Sequence, residues 1–500
     1  MATLTQVHGV STRVLPTQIL ATEAVDSATN FVVGSAPVHR VPIAGSGVAS
    51  SVRVNVLVQD LADFTTHFLG VSPIAEDFNK WTLCEHAYRS MVIGAGIGGS
   101  IYHNVFDPIG KHFHAFGPLS LTFVKDTIVI DDTDVTYGTV VITDSANSIT
   151  YTLGVDYVLG YNDDLNAVIT RLSSGLIAAN STVQVSYNQG DPSMVTREDI
   201  EGGYDVETGE YTGLMAIETV FHDYLTVPSV ISVPKWDTDP EIAAVMNARC
   251  NPNGCFYAIA PINSDTSTVR SKDQVLIGKT AANIESDSQI YCWPCSALDE
   301  HIIGMSTQAA VQLAEVDISH NFLPYASPSN NLLPMTRLCL RDGTLIKQPK
   351  PAADLLSAQA VYTGLNWIGG WHSWGNYTAI YPASSDPAVM WISAKRMVSY
   401  IRNNVTILAF QFVDQPMTRR WAQSVELTVQ SWFNHLVKVG ALLKGEISFR
   451  GQDNDIGELE AGHAIFYCSV MPPLPAQWIE FDIELDPTAL LLILDTTAPA

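Results

Sequence analysis

The chain has 500 residues and a formal net charge of −25, with 47% hydrophobic and 15% charged residues. That length exceeds what one hydrophobic core usually organises, so two to four domains are expected, and the composition excludes an intrinsically disordered chain. The acidic residues are spread without a basic block, which argues against direct nucleic-acid or anionic-membrane binding. The small charged fraction hints that part of the surface is covered by other copies of the same protein.

Met1 to Leu20 lack the basic start, apolar run and small-residue cleavage site of a signal peptide. No apolar stretch is long enough to cross a bilayer, so assembly in a cytoplasm without membrane insertion is expected. Residues 1–29, with one β-like stretch at Val10 to Leu15, hold too little apolar content to pack as a domain and read as an arm. From Asn30 the pattern is α/β: a strand at Phe31–Val33, a second at Val54–Val58, a helix over Glu76–Met91 and a strand at Ile101–Phe106 that stops at Asp107-Pro108. Between Gly117 and Met194 short β-branched runs alternate with Asp, Asn, Ser and Gly turns: Thr127–Ile130, Thr139–Thr143, Ile149–Leu153, Ala167–Arg171 and Thr182–Tyr187. This reads as an inserted all-β domain, acidic enough to suit an outer position.

The α/β pattern resumes with helices at Gly213–Tyr224 and Pro240–Arg249 and strands at Val230–Val233 and Phe256–Ile259. The two α/β segments are expected to form one domain interrupted by the insert. From Thr418 to Lys444, Trp421, Val425, Val429, Trp432, Leu436, Val439 and Leu443 recur every three or four positions, the mark of an amphipathic helix. At the end of the chain Ile479, Phe481, Ile483 and Leu485 alternate with Glu480, Asp482 and Glu484, a two-faced strand, and an apolar run Leu490–Leu494 follows Asp486-Pro487.

Three motifs imitate active sites. Gly94-Ala95-Gly96-Ile97-Gly98-Gly99 satisfies the dinucleotide fingerprint, but a helix precedes it and a strand follows, so no helix N-terminus is presented to a pyrophosphate. Cys292-Trp293-Pro294-Cys295 has redox or zinc spacing, and Cys250 and Cys255 could complete four ligands. A strand running into Cys292 instead makes two buried thiols the expected reading. His103, His112 and His114 lack a carboxylate or thiol at ligand spacing, and Trp367, Trp371 and Trp374 are expected in a packed loop over the long helix. Seven cysteines scattered over the chain are expected as thiols. No catalytic residue, cofactor or metal is assigned.

Several segments, in colinear order, resemble the contractile tail sheath protein family of phages, bacteriocins and related injection machines. They are Phe31-Val32-Val33-Gly34-Ser35-Ala36-Pro37, Asn104-Val105-Phe106-Asp107-Pro108, Tyr211-Thr212-Gly213-Leu214 with Val227 to Pro234, and Ser327-Pro328-Ser329-Asn330. Gly364-Leu365-Asn366, Trp374-Gly375-Asn376-Tyr377-Thr378, Ala394-Lys395-Arg396-Met397, Gly440-Ala441-Leu442 and Pro475 to Phe481 continue the order. Tyr377 stands where the family commonly has Arg, which puts any ion pair made there in doubt.

The resemblance implies a multidomain α+β fold: an α/β core with an inserted all-β domain, a C-terminal α/β domain and extended N- and C-terminal arms. The expected divisions are 1–29 N-terminal arm, 30–116 first part of the core, 117–194 β insert, 195–350 second part of the core, 351–475 C-terminal domain packing near the tube and 476–500 C-terminal arm. It implies no enzyme but a sheath subunit that polymerises as a helical array around a tail tube and contracts for genome ejection. The implied partners are copies of itself and the tube, baseplate and tail terminator proteins, in the tail of a virion. A bacteriocin or other injection system is the alternative, and a flavin or redox enzyme is what the glycine and cysteine motifs alone would suggest. The implied arm strands are Val10, Thr12 and Val14 at one end and Ile479, Phe481, Ile483, Leu485, Leu490, Leu492 and Leu494 at the other. Lys395, Arg396, Arg402, Arg419 and Arg420 are the candidates to receive the acidic face of an incoming arm.

Overall fold

The computed structural model describes residues 25–41, 51–72, 74–94, 99–251 and 256–493. The body opens with β1 (Asn30–Gly34), β2 (Asn55–Val58), α1 (Leu61–Phe68), α2 (Ala75–Lys80), α3 (Thr82–Ala87) and, after a π-helical turn at Tyr88–Ile93, β3 (Ser100–Asn104). All five residues of β1 and of β3 are buried, as expected of strands covered on both faces. The helix expected over Glu76–Met91 is broken at Trp81, which is extended (φ −106, ψ 114). The loop after β1 causes the break: Ser35 N donates to Thr82 Oγ1 (2.9 Å) and Leu83 N donates to Ser35 O (3.0 Å). Gly34 permits this approach, since a Cβ there would collide with Thr82 Oγ1.

The insert contains β4 (Phe113–Thr122), β5 (Thr127–Ile130), β6 (Val141–Asp144), β7 (Thr150–Tyr151), β8 (Tyr157–Tyr161), β9 (Ala167–Arg171) and β10 (Thr182–Gly190). They form two sheets, ordered β4–β10–β6–β7 and β5–β9–β8. Alternate residues such as Val183, Val185 and Tyr187 point into their own core with Ile128, Ile142, Leu159 and Ile169. β4 starts at Phe113, upstream of the expected boundary at Gly117, because Gly117-Pro118, which has the look of a turn in sequence, lies inside the strand. Arg40 locks the insert to the body: its guanidinium donates to Asp77 (2.7 and 2.9 Å), to Asp134 (3.0 Å) and to Thr133 O (2.8 Å). Burial pushes the Asp77 carboxyl up, but the Arg40 guanidinium outweighs it and holds the group below the usual carboxylate range.

The body continues through α4 (Arg197–Glu201), α5 (Ile217–Tyr224), β11 (Val230–Ser232), α6 (Pro240–Arg249), β12 (Ala260–Asn263), α7 (Val275–Ala281), β13 (Gln289–Cys292), β14 (Cys295–Leu298), β15 (His301–Gly304) and α8 (Met305–Ser319). Then come β16 (Arg337–Cys339), β17 (Leu345–Ile346), α9 (Lys350–Ala358), β18 (Val361–Trp367) and β19 (Gly370–Trp374). The strand expected at Phe256–Ile259 lies further on, at Ala260–Asn263. The sheets β2–β3–β1–β11 and β12–β13–β18–β19 meet at a parallel bridge between Val230 and Ile259, so both α/β segments share one twisted sheet. A four-stranded sheet β15–β14–β16–β17 packs beside it. Since β18 pairs with β13 in parallel, the expected division at 350/351 does not coincide with a sheet boundary.

The last third holds α10 (Pro387–Met390), α11 (Ile392–Phe410), α12 (Arg419–Lys438), β20 (Lys444–Phe449), α13 (Ile456–Glu460) and β21 (Phe466–Met471). Thr418 caps α12, its hydroxyl accepting from Trp421 N (3.1 Å), and the helix buries Ala422, Val425, Val429, Phe433 and Leu436. It stops at Lys438 rather than Lys444. Gly440 is left-handed (φ 82), and Ala441 N and Leu442 N both donate to Leu436 O (2.9 and 3.2 Å), which turns the chain into β20.

Candidate inter-subunit surfaces

β20 and β21 form an antiparallel pair lying against α12. The outer edge of β20 is already occupied by the helix: Gln430 Nε2 donates to Gly445 O (2.9 Å), Ile447 N to Gln430 Oε1 (3.1 Å) and Phe449 N to Glu426 Oε1 (2.6 Å). In an antiparallel ladder main-chain groups point alternately toward and away from the partner strand. The groups of Gly445, Ile447 and Phe449 point away from β21, so those of their register partners Val470, Cys468 and Phe466 point away from β20. Among the described residues Cys468 and Val470 have no main-chain partner on that side. This two-stranded sheet therefore keeps one open edge, along β21.

The chain leaves β21 at Met471 and runs without secondary structure to Asp486, ending in a 3-10 turn at Pro487–Ile493. Its apolar side chains are in solvent: Phe481 is 81% exposed, Ile483 88% and Leu485 90%, with Ile479 and Leu490 also exposed. The alternation of apolar and acidic residues is present, but the segment pairs with no strand among the described residues. Its root is tied down at Gln477, whose Oε1 accepts from Tyr377 Oη (2.6 Å). Tyr377 is in turn stacked between Tyr381 (4.1 Å) and Trp391 (4.7 Å). Where an Arg is common in the resembling family, an aromatic stack here holds the start of the tail. Val10, Thr12, Val14 and Leu494 lie outside the described residues, as does the side chain of Leu492.

The five candidate receiving cations are not gathered into one surface. Lys395 is buried and pairs with Asp287 (2.5 Å). Arg396 is buried in a bidentate pair with Asp317 (2.6 and 2.8 Å), to which Ser27 also donates (2.8 Å). Both charges are matched within the subunit. Arg402 stacks on the Tyr257 ring at 3.4 Å and bonds its hydroxyl. Arg419 and Arg420 are exposed at the start of α12 and, like the exposed Arg402, have no ion-pair partner among the described residues.

The apparent active sites resolve into structural roles. The glycine-rich segment joins the π-helical turn to β3, helix before strand, with residues 95–98 outside the described set. Cys292 and Cys295 are buried at the end of β13 and start of β14, and burial lifts both thiols, Cys295 to about 11. His103 is buried, accepts from Gly213 N at Nε2 (3.0 Å), faces Asn55 Oδ1 at Nδ1 (2.9 Å) and is pushed down to about 3 by burial. His112 accepts from Asp107 N (2.9 Å) and faces Asp199 (3.2 Å), while His114 faces Asp191 (3.1 Å). No group of three His, Cys, Asp or Glu among the described residues is placed to hold a metal, and none of their helices is long and apolar enough to cross a membrane. Trp367, Trp371 and Trp374 sit in the β18–β19 hairpin rather than in a loop over α12, Trp371 donating to Thr336 O (3.1 Å) and Trp374 to Asp354 Oδ1 (3.0 Å).

The described residues thus comprise a well-packed α+β body, a β insert, one open strand edge and a two-faced terminal segment that pairs with none of them. No protein-family model matches the chain. It is 26% identical over 501 aligned positions to the tail sheath protein of Burkholderia phage BcepMu, covering 97% of this chain and 98% of that protein. Among solved structures it shares its fold with the PVC sheath complex of an extracellular contractile injection system in the contracted state (11% identity, 98% of this chain and 100% of that one, TM-score 0.54). It also shares it with the contracted helical sheath of the anti-feeding prophage (12% identity, 97% and 100%, TM-score 0.54). Over nearly its whole length the chain is thus similar to a tail sheath protein, and its fold is that of contractile sheaths.

Proposed function

We propose that the chain is the subunit of a contractile phage tail sheath, which polymerises as a helical array around the tail tube and shortens to drive the tube through the host envelope for genome ejection. The end-to-end match to a phage tail sheath protein carries this reading. The likeness to sheaths of free-standing injection systems fits the same mechanism and keeps such a system as a second reading. A further structural neighbour is a baseplate assembly of the anti-feeding prophage, which supports contact with a baseplate. The tube and terminator proteins are the remaining partners of this reading, with assembly in the host cytoplasm and no catalytic activity.

In this reading the tail from Trp478 to Leu485 leaves its own subunit and adds as a strand to the open edge of β21 on a neighbour. Its apolar face would be worth about 1.5–3 kcal/mol per fully buried large side chain, before the cost of ordering the arm. A heterologous contact of this kind does not close on itself and propagates as a helix. Contraction then draws on the difference in interface burial between two lattices, with the arms keeping subunits joined while the bodies rotate rigidly. Val10–Leu15 forms the second connection, and exposed Arg419 and Arg420 lie on the receiving domain.

The test is truncation. A chain lacking residues 478–500 should remain a soluble folded subunit that forms no sheaths in negative-stain micrographs; normal sheaths would overturn the arm reading. Cys468→Pro removes an outward main-chain donor from the open edge and should block assembly in the same way, while closed shells or thin uniform tubes from the full chain would overturn the sheath itself.

A further inference from the structure

An apolar groove of about 520 Å³ lies between α5 and the last turns of α11, lined by Phe221, Leu225, Pro228, Phe256, Ile407 and Phe410. The rings of Phe221 and Phe256 are in contact (centroids 4.9 Å), while Leu225 and Phe410 are each 75% exposed. Glu218, the groove's one carboxylate, is already paired with Arg249 (2.6 Å). Beside Glu218 the only other titratable side chain of the lining is His222, so a charged occupant would find little to pair with, whereas an uncharged aliphatic one would remove this surface from water.

The described chain begins beside this groove. Val25 N donates to Asn404 Oδ1 (3.1 Å), one turn before Ile407 on α11. Val25 shares a small cleft with Val227 and Tyr257, the chain neighbours of Pro228 and Phe256 in the groove. Upstream of Val25 the stretch Val14 to Thr22 carries no charge and contains Val14, Leu15, Ile19 and Leu20. An extended chain covers about 3.3–3.6 Å per residue. Helix α11 rises only about 9 Å from Asn404 to Phe410, so Ile19 and Leu20 can reach the whole groove from their own Val25. The segment Ile479–Leu485 of the C-terminal tail fits less well, because Glu480, Asp482 and Glu484 alternate with its apolar residues and the nearby arginine is taken, and the apolar run Leu490–Leu494 has no anchor beside the groove comparable to Val25 among the described residues.

We propose that Ile19 and Leu20 of the same chain seat in this groove and fix the direction in which residues 10–15 depart from the subunit. A short tether holds the pair at an effective concentration in the millimolar range, which favours the segment of the same chain over that of another subunit. The seat stands on the groove and on the position of Val25, and does not depend on the arm-exchange reading.

A photoreactive benzoylphenylalanine replacing Leu20 in the soluble full-length chain tests it. Irradiation should give a product of single-subunit mass, cross-linked to the peptides carrying Phe221–Leu225 or Ile407–Phe410. A product of twice that mass, a cross-link elsewhere or no cross-link would overturn the proposal. As a second readout, amide hydrogen exchange of residues 16–24 should be slowed in the wild type and accelerate about tenfold or more in Phe410→Glu with the melting temperature unchanged. Exchange at free-peptide rates in the wild type would equally overturn it.

Discussion

In the body, Glu85, Arg396 and Asp317 are charged side chains drawn into the interior beside counter-charges, that of Glu85 being the half-buried Arg341, whereas from Ile479 to Leu485 the large apolar side chains stand in solvent. Glu85 shows how fully the interior is matched. It accepts from Gly304 N (2.6 Å), Thr307 Oγ1 (3.2 Å) and Arg341 (2.8 Å). Burial pushes its carboxyl up, yet the Arg341 guanidinium outweighs that and holds it below the usual range. Around these charges the body has matched its own groups, and the tail has not. Substitutions should therefore divide into those that change stability and those that change assembly.

The largest effect on stability is expected from Arg396→Met, which leaves the Asp317 carboxylate buried without its partner. We expect a loss of about 3–5 kcal/mol in urea unfolding; a loss below about 1 kcal/mol would break the picture of a body held by matched interior charges. A smaller effect, of opposite sign, is expected at Asp237. Burial, with a further contribution from Glu85, lifts this carboxyl to about 7, and its Oδ1 has no partner in the described structure. Because the folded state holds this proton more tightly than the unfolded chain, its contribution to stability is complete at acid pH below the ordinary carboxylate range. It declines as pH rises to about 7 and is flat above. Asp237→Asn should flatten that decline and stabilise the protein at pH 8 by about 2–4 kcal/mol, read from urea unfolding at pH 5 and pH 8. The smallest effect on stability, within about 0.5 kcal/mol, is expected from the double change Phe481→Ser and Ile483→Ser, since both side chains are already in water. The same variant should fail to form sheaths by sedimentation; loss of stability without loss of assembly would reverse the division.

Tyr377→Phe sharpens the comparison where the two regions join. It removes the hydroxyl that holds Gln477 while keeping the ring between Tyr381 and Trp391. Stability should change by about 1 kcal/mol or less, and proteolysis between Gln477 and Leu485 should become faster in the isolated subunit.

Much of the architecture was legible in local pattern. The unbroken apolar run Phe31–Val33 announced a strand buried on both faces, the β-branched runs between Thr127 and Tyr187 announced the insert, and the heptad-like spacing from Trp421 to Leu436 announced the long helix. The helix-before-strand order around Gly94 was legible in the same way. What failed depended on partners far along the chain. The break at Trp81 is imposed by Ser35, the single sheet spanning both sides of residue 350 by the pairing of β13 with β18, and the disposal of Lys395 and Arg396 by Asp287 and Asp317. A cation in a sequence carries no sign of whether a carboxylate a hundred residues away will neutralise it.

The chemistry of the terminal segment was set by the sequence alone: period-two alternation of Ile479, Phe481, Ile483 and Leu485 with acids dictates a two-faced strand wherever that strand finds a partner, because successive side chains of an extended chain point to opposite faces. Only the tertiary structure decided that no partner lies within the described subunit, and that β21 keeps its edge open while Gln430 and Glu426 close the edge of β20. It also decided that the tail starts from a tyrosine stack. Those outcomes depend on which main-chain groups are left over once every long-range contact has been made, and no local pattern records that remainder.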